Sequence, residues 1–240
     1  MTKSLIYYSL GGHVQYLDMF KMHLDSLYEN CDIPLDILII TNERFRSIIE
    51  ASKISAKFMI EDVGSVQKSS CQKLSIYKYD LSDYDKVFYC DIDTLWIDKV
   101  SKIFEAISDH KISFSSEPSL MCDCVYHGKN LLTAAEIEDA RSKMVPALNF
   151  GTFGFTPKDV NVFRRIDDYI NNNLDKMEVC LEQPYGNVIM YREDYYNTNL
   201  DAVVSNGDYT KPKTLLHFLG GPGDFEAKFS KIAEFISSRK

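Results

Sequence analysis

Residues Lys86-Val87-Phe88-Tyr89-Cys90 run directly into Asp91-Ile92-Asp93, and Thr94-Leu95-Trp96-Ile97 follows. A short apolar run that ends in two carboxylates reads as a buried strand whose carboxyl end opens on a polar site. Two aspartates one residue apart at such a place can direct oxygen ligands towards one ion. Mg²⁺ and Mn²⁺ are hard cations that take carboxylate, phosphate and water oxygens in octahedral array. Carboxylates held between apolar runs are costly unless a counter-charge meets them. Asp-X-Asp is a common chance pattern, so its weight here comes from its position rather than its composition.

The sequence on either side supports that position. Residues 4–9 form an apolar and aromatic run ending at Leu10-Gly11-Gly12, which fits a first strand and a tight turn. Leu17, Phe20, Leu24, Leu27 and Tyr28 recur at helical spacing. Residues 35–41 are too apolar for a strand with one wet face, and residues 56–60 read as a third strand. Short helices are expected around Phe45, Ile48 and Ile49 and over residues 70–78. Strands alternating with helices imply an α/β fold with a parallel sheet covered on both faces. Ligands of such sheets bind beyond the carboxyl ends of the strands, where Asp91-Ile92-Asp93 stands.

The second half is less regular. Residues 100–107 read as helical and 111–115 as extended. Residues 116–145 read as a polar loop with a helix over 134–143, the kind of insertion that often forms a lid. Residues 148–156 read as a strand containing Gly151 and Gly154, and helices are expected over 158–172 and 183–192. Residues 214–218 form an apolar strand running into Gly220-Gly221-Pro222-Gly223, and an amphipathic helix carrying Phe225, Phe229, Ile232 and Phe235 closes the chain. There is no internal repeat, Pro-rich linker or low-complexity tract, so one continuous domain over residues 1–240 is expected.

Composition limits the function. The chain has 240 residues, is 45% hydrophobic and 26% charged, and carries a formal net charge of −8. That balance suits a globular protein with a sizeable core and argues against a nucleic-acid partner, which asks for a basic face. An acidic protein that binds a diphosphate needs local positive charge, and a divalent cation supplies it. The six cysteines, Cys31, Cys71, Cys90, Cys122, Cys124 and Cys180, form no regular framework, and Cys122-Asp123-Cys124 lacks zinc-ligand spacing. Reduced thiols are expected. The apolar run at the N-terminus is too short for a signal-peptide core, and no segment reaches membrane-spanning length. A soluble, cytoplasmic protein is the expectation.

Several stretches, taken in order, resemble glycosyltransferase family 8, which includes glycogenin and the galactinol synthases. They are Gln72-Lys73-Leu74-Ser75-Ile76-Tyr77, then Tyr84-Asp85-Lys86-Val87-Phe88-Tyr89-Cys90-Asp91-Ile92-Asp93-Thr94-Leu95, Leu148-Asn149-Phe150-Gly151-Thr152-Phe153, Glu182-Gln183, and Leu216-His217-Phe218-Leu219-Gly220. The likeness is specific around Asp91 and His217 and looser elsewhere. It implies a glycosyltransferase-A fold with a nucleotide-sugar-binding half over residues 1–98. An acceptor half over 99–240 would carry the C-terminal metal-ligand strand and helix. It also implies Mn²⁺ (or Mg²⁺) held by Asp91, Asp93 and His217.

The same resemblance implies that Lys73 reaches the donor near its phosphates or sugar, with Ile92 and Gly220 in the same binding surface. Tyr7, Tyr8 and Ser9 would lie where the base and ribose are held, although strand alternation puts one of the two tyrosines in the core. Asn149, Glu182 and Gln183 become the candidates for catalysis on the sugar side; the amides of Asn149 and Gln183 could equally satisfy backbone groups. The glycines around His217 would let backbone amides approach phosphate oxygens.

The chain also departs from the family. A lysine that the family often carries shortly after its His-Phe-X-Gly is replaced here by Gly221-Pro222-Gly223-Asp224, with Lys228 only later. Either the metal and backbone amides carry more of the phosphate binding, or Lys211 or Lys213 substitutes. Glu182 stands where the family has Asp, and Phe150 where it has Ser.

The implied reaction moves a sugar from a nucleoside-diphosphate sugar, a UDP-sugar by preference, to an acceptor hydroxyl on a carbohydrate or other molecule, with retention. An inverting enzyme would instead need a carboxylate base, for which Glu117, Asp123, Asp194 and Asp224 are candidates. A sugar nucleotidyltransferase is the alternative enzyme. Gly11-Gly12-His13 is a poor version of the triphosphate-holding loop it would need. A non-catalytic nucleotide-sugar-binding module is the third reading.

Overall fold

The computed structural model describes residues 3–61, 66–122, 127–173, 182–219 and 224–239. Gly220, expected to help bind the donor, lies outside these residues, as do Gly221, Pro222, Gly223, Asp123, Cys124 and Cys180.

The first half alternates as its hydrophobic pattern predicts: β1 (Ser4–Ser9), α1 (Tyr16–Asn30), β2 (Leu35–Thr41), α2 (Glu43–Ala51), β3 (Lys57–Ile60), a 3-10 helix over Val66–Lys78, and β4 (Lys86–Cys90). Then come β5 (Thr94–Trp96), α3 (Ser101–Ala106), β6 (Ile112–Glu117), α4 (Ala134–Ser142), β7 (Ala147–Phe155) and α5 (Asn161–Asn171). The chain continues through α6 (Gln183–Glu193), β8 (Tyr196–Asn197), β9 (Val204–Asn206), β10 (Leu215–His217) and α7 (Phe225–Ser238).

Seven strands form the central sheet in the order β3-β2-β1-β4-β7-β6-β8. All neighbouring pairs are parallel except those of β7, which runs antiparallel to both β4 and β6. The fold is therefore mixed α/β with a mostly parallel sheet. Period-two alternation assigns the two faces. Leu5, Tyr7, Leu38, Val87 and Tyr89 pack with Leu74, Phe153 and the α5 residues Phe163 and Ile166. Ile6, Tyr8, Ile39, Phe88 and Cys90 pack against Phe20, Leu24 and Leu27 of α1, Phe45 and Ile49 of α2, and Ile103 of α3. Both faces are thus covered, which explains why the strands read as nearly continuous apolar runs.

Two features were not expected from the sequence. Residues 66–78 make a 3-10 rather than an α-helix, so side chains three apart stack in register. Ser70 and Lys73 accordingly face the same cleft. A second sheet of three short strands, ordered β5-β10-β9, stands beside the first. Its strands are three residues each, and only β10 leaves an apolar run in the sequence.

Candidate functional site

The site is built where β4 ends and β5 begins. After Cys90 the chain turns, and the turn is closed by the Thr94 hydroxyl donating to the Asp91 carbonyl at 2.8 Å. The Asp91 amide donates to the Gly151 carbonyl at 2.8 Å, which ties the turn to β7. β5 then pairs antiparallel with β10 so that Thr94 stands opposite His217, and the Phe218 amide donates to the Asp93 carbonyl at 2.9 Å. The small sheet is therefore what carries His217 to the aspartates. One ligand atom from each of Asp91, Asp93 and His217 lies within 4.8 Å of the others.

The donor set fits a divalent cation. Asp93 and His217 are buried, and Asp91 is a third exposed at its side chain. Asn206 on β9 donates its amide to the Ser115 hydroxyl and the Ser116 carbonyl, which turns its Oδ1 towards His217 Nδ1 at 3.3 Å. A proton on Nδ1 satisfies that contact and leaves Nε2 as the nitrogen facing Asp93 Oδ1, 3.3 Å away. Asp93 Oδ1 is buried without a hydrogen-bond partner, and Ser70 Oγ is likewise unpartnered. Both residues line the same cleft. Unpaired buried polar atoms are rare in folded proteins, and a carboxylate oxygen facing an imidazole nitrogen is chemically completed by a cation.

Positive charge already surrounds the carboxylates. Lys73 is 4% exposed, and its ammonium lies 2.9 Å from Glu182 Oε1 and 3.4 Å from Asp91 Oδ1; it also donates to the Phe150 carbonyl at 3.0 Å. Burial alone would pull the Lys73 pKa down, but Asp91 and Glu182 hold it above the ordinary lysine value. Lys228 on α7 lies 2.5 Å from Asp93 Oδ2. Burial pushes the Asp93 carboxyl up, yet the cations beside it, His217 when protonated and Lys228, hold it well below the usual carboxylate range. Burial, with Asp91 adding to it, keeps the Tyr89 hydroxyl protonated, and that hydroxyl donates to Asp91 Oδ1.

β7 is deformed beside this cluster. Its register against β6 jumps from Phe114↔Phe153 to Ser115↔Asn149, so residues 150–152 bulge out of the ladder. Side chains satisfy the freed backbone groups: Gln183 Oε1 accepts from the Phe150 amide at 3.1 Å and Asn149 Oδ1 from the Gly151 amide at 2.7 Å. A side chain at Gly151 would put its Cβ 2.5 Å from the His217 ring and 2.8 Å from Asp91 Oδ2. Only glycine lets the bulge approach the cluster this closely.

The remaining donors of the two amides converge on Glu117, at 2.8 Å from Asn149 and 3.3 Å from Gln183. Glu117 also receives the buried His127 ring at 2.7 Å. The other His127 nitrogen faces the Ser119 carbonyl at 3.0 Å and the Cys122 sulfur at 2.8 Å. Its hydrogen bond to Glu117 raises the His127 pKa, and the Ser119 carbonyl adds to the rise.

A cleft of about 290 Å³ opens over the cluster, lined by Ser9, Gly11, Tyr16, Ile92, Phe225 and Lys228 together with Ser70, Lys73, Asp91, Asp93 and Glu182. Of the sequence candidates, Ser9, Lys73, Asp91, Ile92, Asp93, Glu182 and Asp224 meet here, and His217 stands against Asp93. Ser9 donates to Gln72 Oε1 at 3.0 Å. Asn149 and Gln183 are drawn into the bulge rather than the cleft wall.

Two expectations need correction. Tyr7 and Tyr8 are both 0% exposed. Their hydroxyls meet the Lys73 carbonyl at 3.2 Å and His23 Nε2 at 2.8 Å, so neither ring faces the cleft. The aromatic residues lining it are Tyr89 on its floor and Tyr16 and Phe225, whose rings meet edge to face at 5.4 Å. Nor do Lys211 and Lys213 serve the site. Both are exposed, and Lys213 is tied to the Asp201 carbonyl. Lys228, which the sequence set only after an unfamiliar turn, is the lysine that arrives. Sequence reading also missed the Glu117–His127 pair, because its members are drawn together by the β6 end and the segment after it, not by a motif.

No family profile matches the chain, and no curated protein sequence does. Among solved structures, it is similar to mouse xyloside xylosyltransferase 1 in its apo form, with a TM-score of 0.62 and 9% identity. The match covers 93% of this chain and 98% of that one. The fold is of the glycosyltransferase-A type. At that identity the likeness concerns the fold, and function has to be argued from the site.

Proposed function

We propose that this chain is a glycosyltransferase of the family 8 kind. It would be Mn²⁺-dependent (or Mg²⁺-dependent) and would move a sugar from a nucleoside-diphosphate sugar, a UDP-sugar by preference, to an acceptor hydroxyl with retention. The observation that carries the reading is the unpartnered Asp93 Oδ1 facing His217 beside Asp91, in a cleft at the carboxyl end of β4. Asp91, Asp93 and His217 would hold the ion. Its chemistry, when bound, is to take up negative charge developing on the departing diphosphate.

The protein's own residues supply the rest. Tyr16 and Phe225 offer apolar ring surface for a base, and Ser9 and Gly11 border the space a ribose and phosphates would take. Lys73, itself held by Glu182, fixes Asp91 in place. Asn149 and Gln183 act by holding the bulge and Glu117, and Glu182, which lines the cleft, is the carboxylate offered to donor-sugar hydroxyls. Residues 1–98 would form the donor half and residues 99–240 the acceptor half of a single domain. No helix of the described residues is long and apolar enough to cross a membrane. A cytoplasmic setting is part of the same proposal, and the described cysteines Cys31, Cys71, Cys90 and Cys122 are unpaired.

The test is a screen of UDP-, GDP- and TDP-sugars with Mn²⁺, reading donor hydrolysis and thermal stabilisation for the wild type and Asp93→Ala. The wild type is expected to turn over at least one donor and to gain stability with Mn²⁺ and the matching diphosphate. The variant should lose turnover by about 100-fold or more, the order seen when a group that stabilises transition-state charge is removed. Equal turnover by the two proteins would rule out the assigned role.

A further inference from the structure

The two lysines at the site are held very differently. Lys73 is fixed from three sides, by Asp91, Glu182 and the Phe150 carbonyl. The Lys228 ammonium has one hydrogen-bond partner among the described residues, Asp93 Oδ2. It reaches that partner from α7, a helix that packs on the second sheet through Ile232 against Leu95, Leu216 and Phe218. Its side chain is 18% exposed and forms part of the cleft wall, whereas that of Asp93 is 9% exposed. A singly tethered ammonium at the edge of a cleft can change partner by rotating its own side chain; one held three ways cannot.

We propose that Lys228 is a displaceable internal counter-ion, which neutralises Asp93 until a metal–diphosphate pair arrives and then transfers to the diphosphate. This deepens, and rests on, the reading of the cleft as a metal and diphosphate site. A buried carboxylate without a partner is unfavourable, so an ammonium on Asp93 Oδ2 keeps the site folded and ionised. The same ammonium opposes a divalent ion on the neighbouring Asp93 Oδ1, because the two positive charges would lie within a few ångströms in a poorly screened cleft. A diphosphate removes the conflict by giving the lysine a second anion in the same cleft.

Metal affinity therefore depends on diphosphate, and by linkage diphosphate affinity depends on metal to the same extent. A free ion alone binds weakly, and the loaded nucleotide binds as a unit.

The experiment is calorimetric titration at pH 8 of Mn²⁺ alone, UDP alone, and Mn²⁺ with saturating UDP, on the wild type, Lys228→Met and Lys228→Gln. Mn²⁺ alone is expected to bind the two variants about tenfold more tightly than the wild type. The factor by which UDP strengthens Mn²⁺ binding should shrink by about tenfold, within the usual range of coupling between sites. Lys228→Gln keeps the length and polarity of the side chain and serves if the Met variant is unstable. Unchanged or weaker Mn²⁺ binding in the variants, with the wild-type coupling factor, overturns the proposal while leaving the metal site standing. A wild type that binds neither Mn²⁺ nor UDP overturns the underlying reading, and the proposal with it.

Discussion

Two polar clusters flank the β7 bulge, and they are built on opposite plans. On one side, Asp91 and Asp93 are held by ion pairs to Lys73 and Lys228, and Asp93 Oδ1 is left without a hydrogen bond. On the other, Glu117 takes donors from His127, Asn149 and Gln183, while the amide oxygens of the last two cap the bulge backbone. The first cluster stores charge in contacts that a stronger cation or anion can replace. The second has its donors engaged and acts as a frame. A binding site needs both: groups free to change partner, and a scaffold that keeps them in place while they do so.

The contrast can be tested by breaking each side in turn. The largest effect is expected for Asp93→Asn, which leaves the Lys228 ammonium in the cleft wall without its carboxylate. Breaking a largely buried pair from one side should cost about 3 kcal/mol in denaturant unfolding and abolish stabilisation by Mn²⁺. A loss below 1 kcal/mol would mean that Lys228 readily finds water. Gly151→Ala comes next. Its Cβ would meet His217 and Asp91 at 2.5 and 2.8 Å, so the bulge must move, at about 1–3 kcal/mol as for overpacked sites. Mn²⁺ binding should weaken more than stability does; preserved Mn²⁺ affinity would show that the cluster does not depend on the bulge.

The frame side is read by pH. Glu117 holds the His127 pKa above its ordinary value of 6.5. The pair's contribution is therefore complete below the unfolded-state value and is lost as pH rises through the higher folded value. Denaturation midpoints at successive pH values should fall over that interval in the wild type and fall less in His127→Gln. Identical profiles would remove His127 from the frame. The burial-lowered His23, at about 4, stays neutral throughout this window. The smallest effect should come from Glu50→Ala, which breaks the exposed pair with Arg46 on α2 and should leave the denaturation midpoint unchanged within error. A larger change there would mean that exposed charge, not the two clusters, dominates the electrostatics.

Much of the fold was legible in the sequence, because β1, β2 and β4 are apolar on both faces and α1 carries a regular 3.6-residue stripe. Asp91 and Asp93 were legible for the same reason, since they interrupt that pattern at a strand end. Lys228 was not. In the sequence it is one lysine on an amphipathic helix, and only the docking of α7 turns it towards Asp93. Tyr7 and Tyr8 misled in the opposite sense. Aromatic residues at a strand end suggest a stacking platform, but the alternation that exposes one face of a strand buries both when helices cover the sheet on either side.

The sequence by itself determined the alternating α/β layers, the strand end that bears the two carboxylates, and the histidine strand near the C-terminus. These follow from hydrophobic periodicity, which acts over a few residues and is written locally. Only the tertiary structure decided that β5 and β10 pair to carry His217 to Asp93, and that a bulge in β7 makes room through Gly151. It also decided that Lys228, rather than Lys211 or Lys213, meets the site. Those outcomes depend on strand register and helix docking between segments far apart in the chain, and no short stretch of residues encodes them.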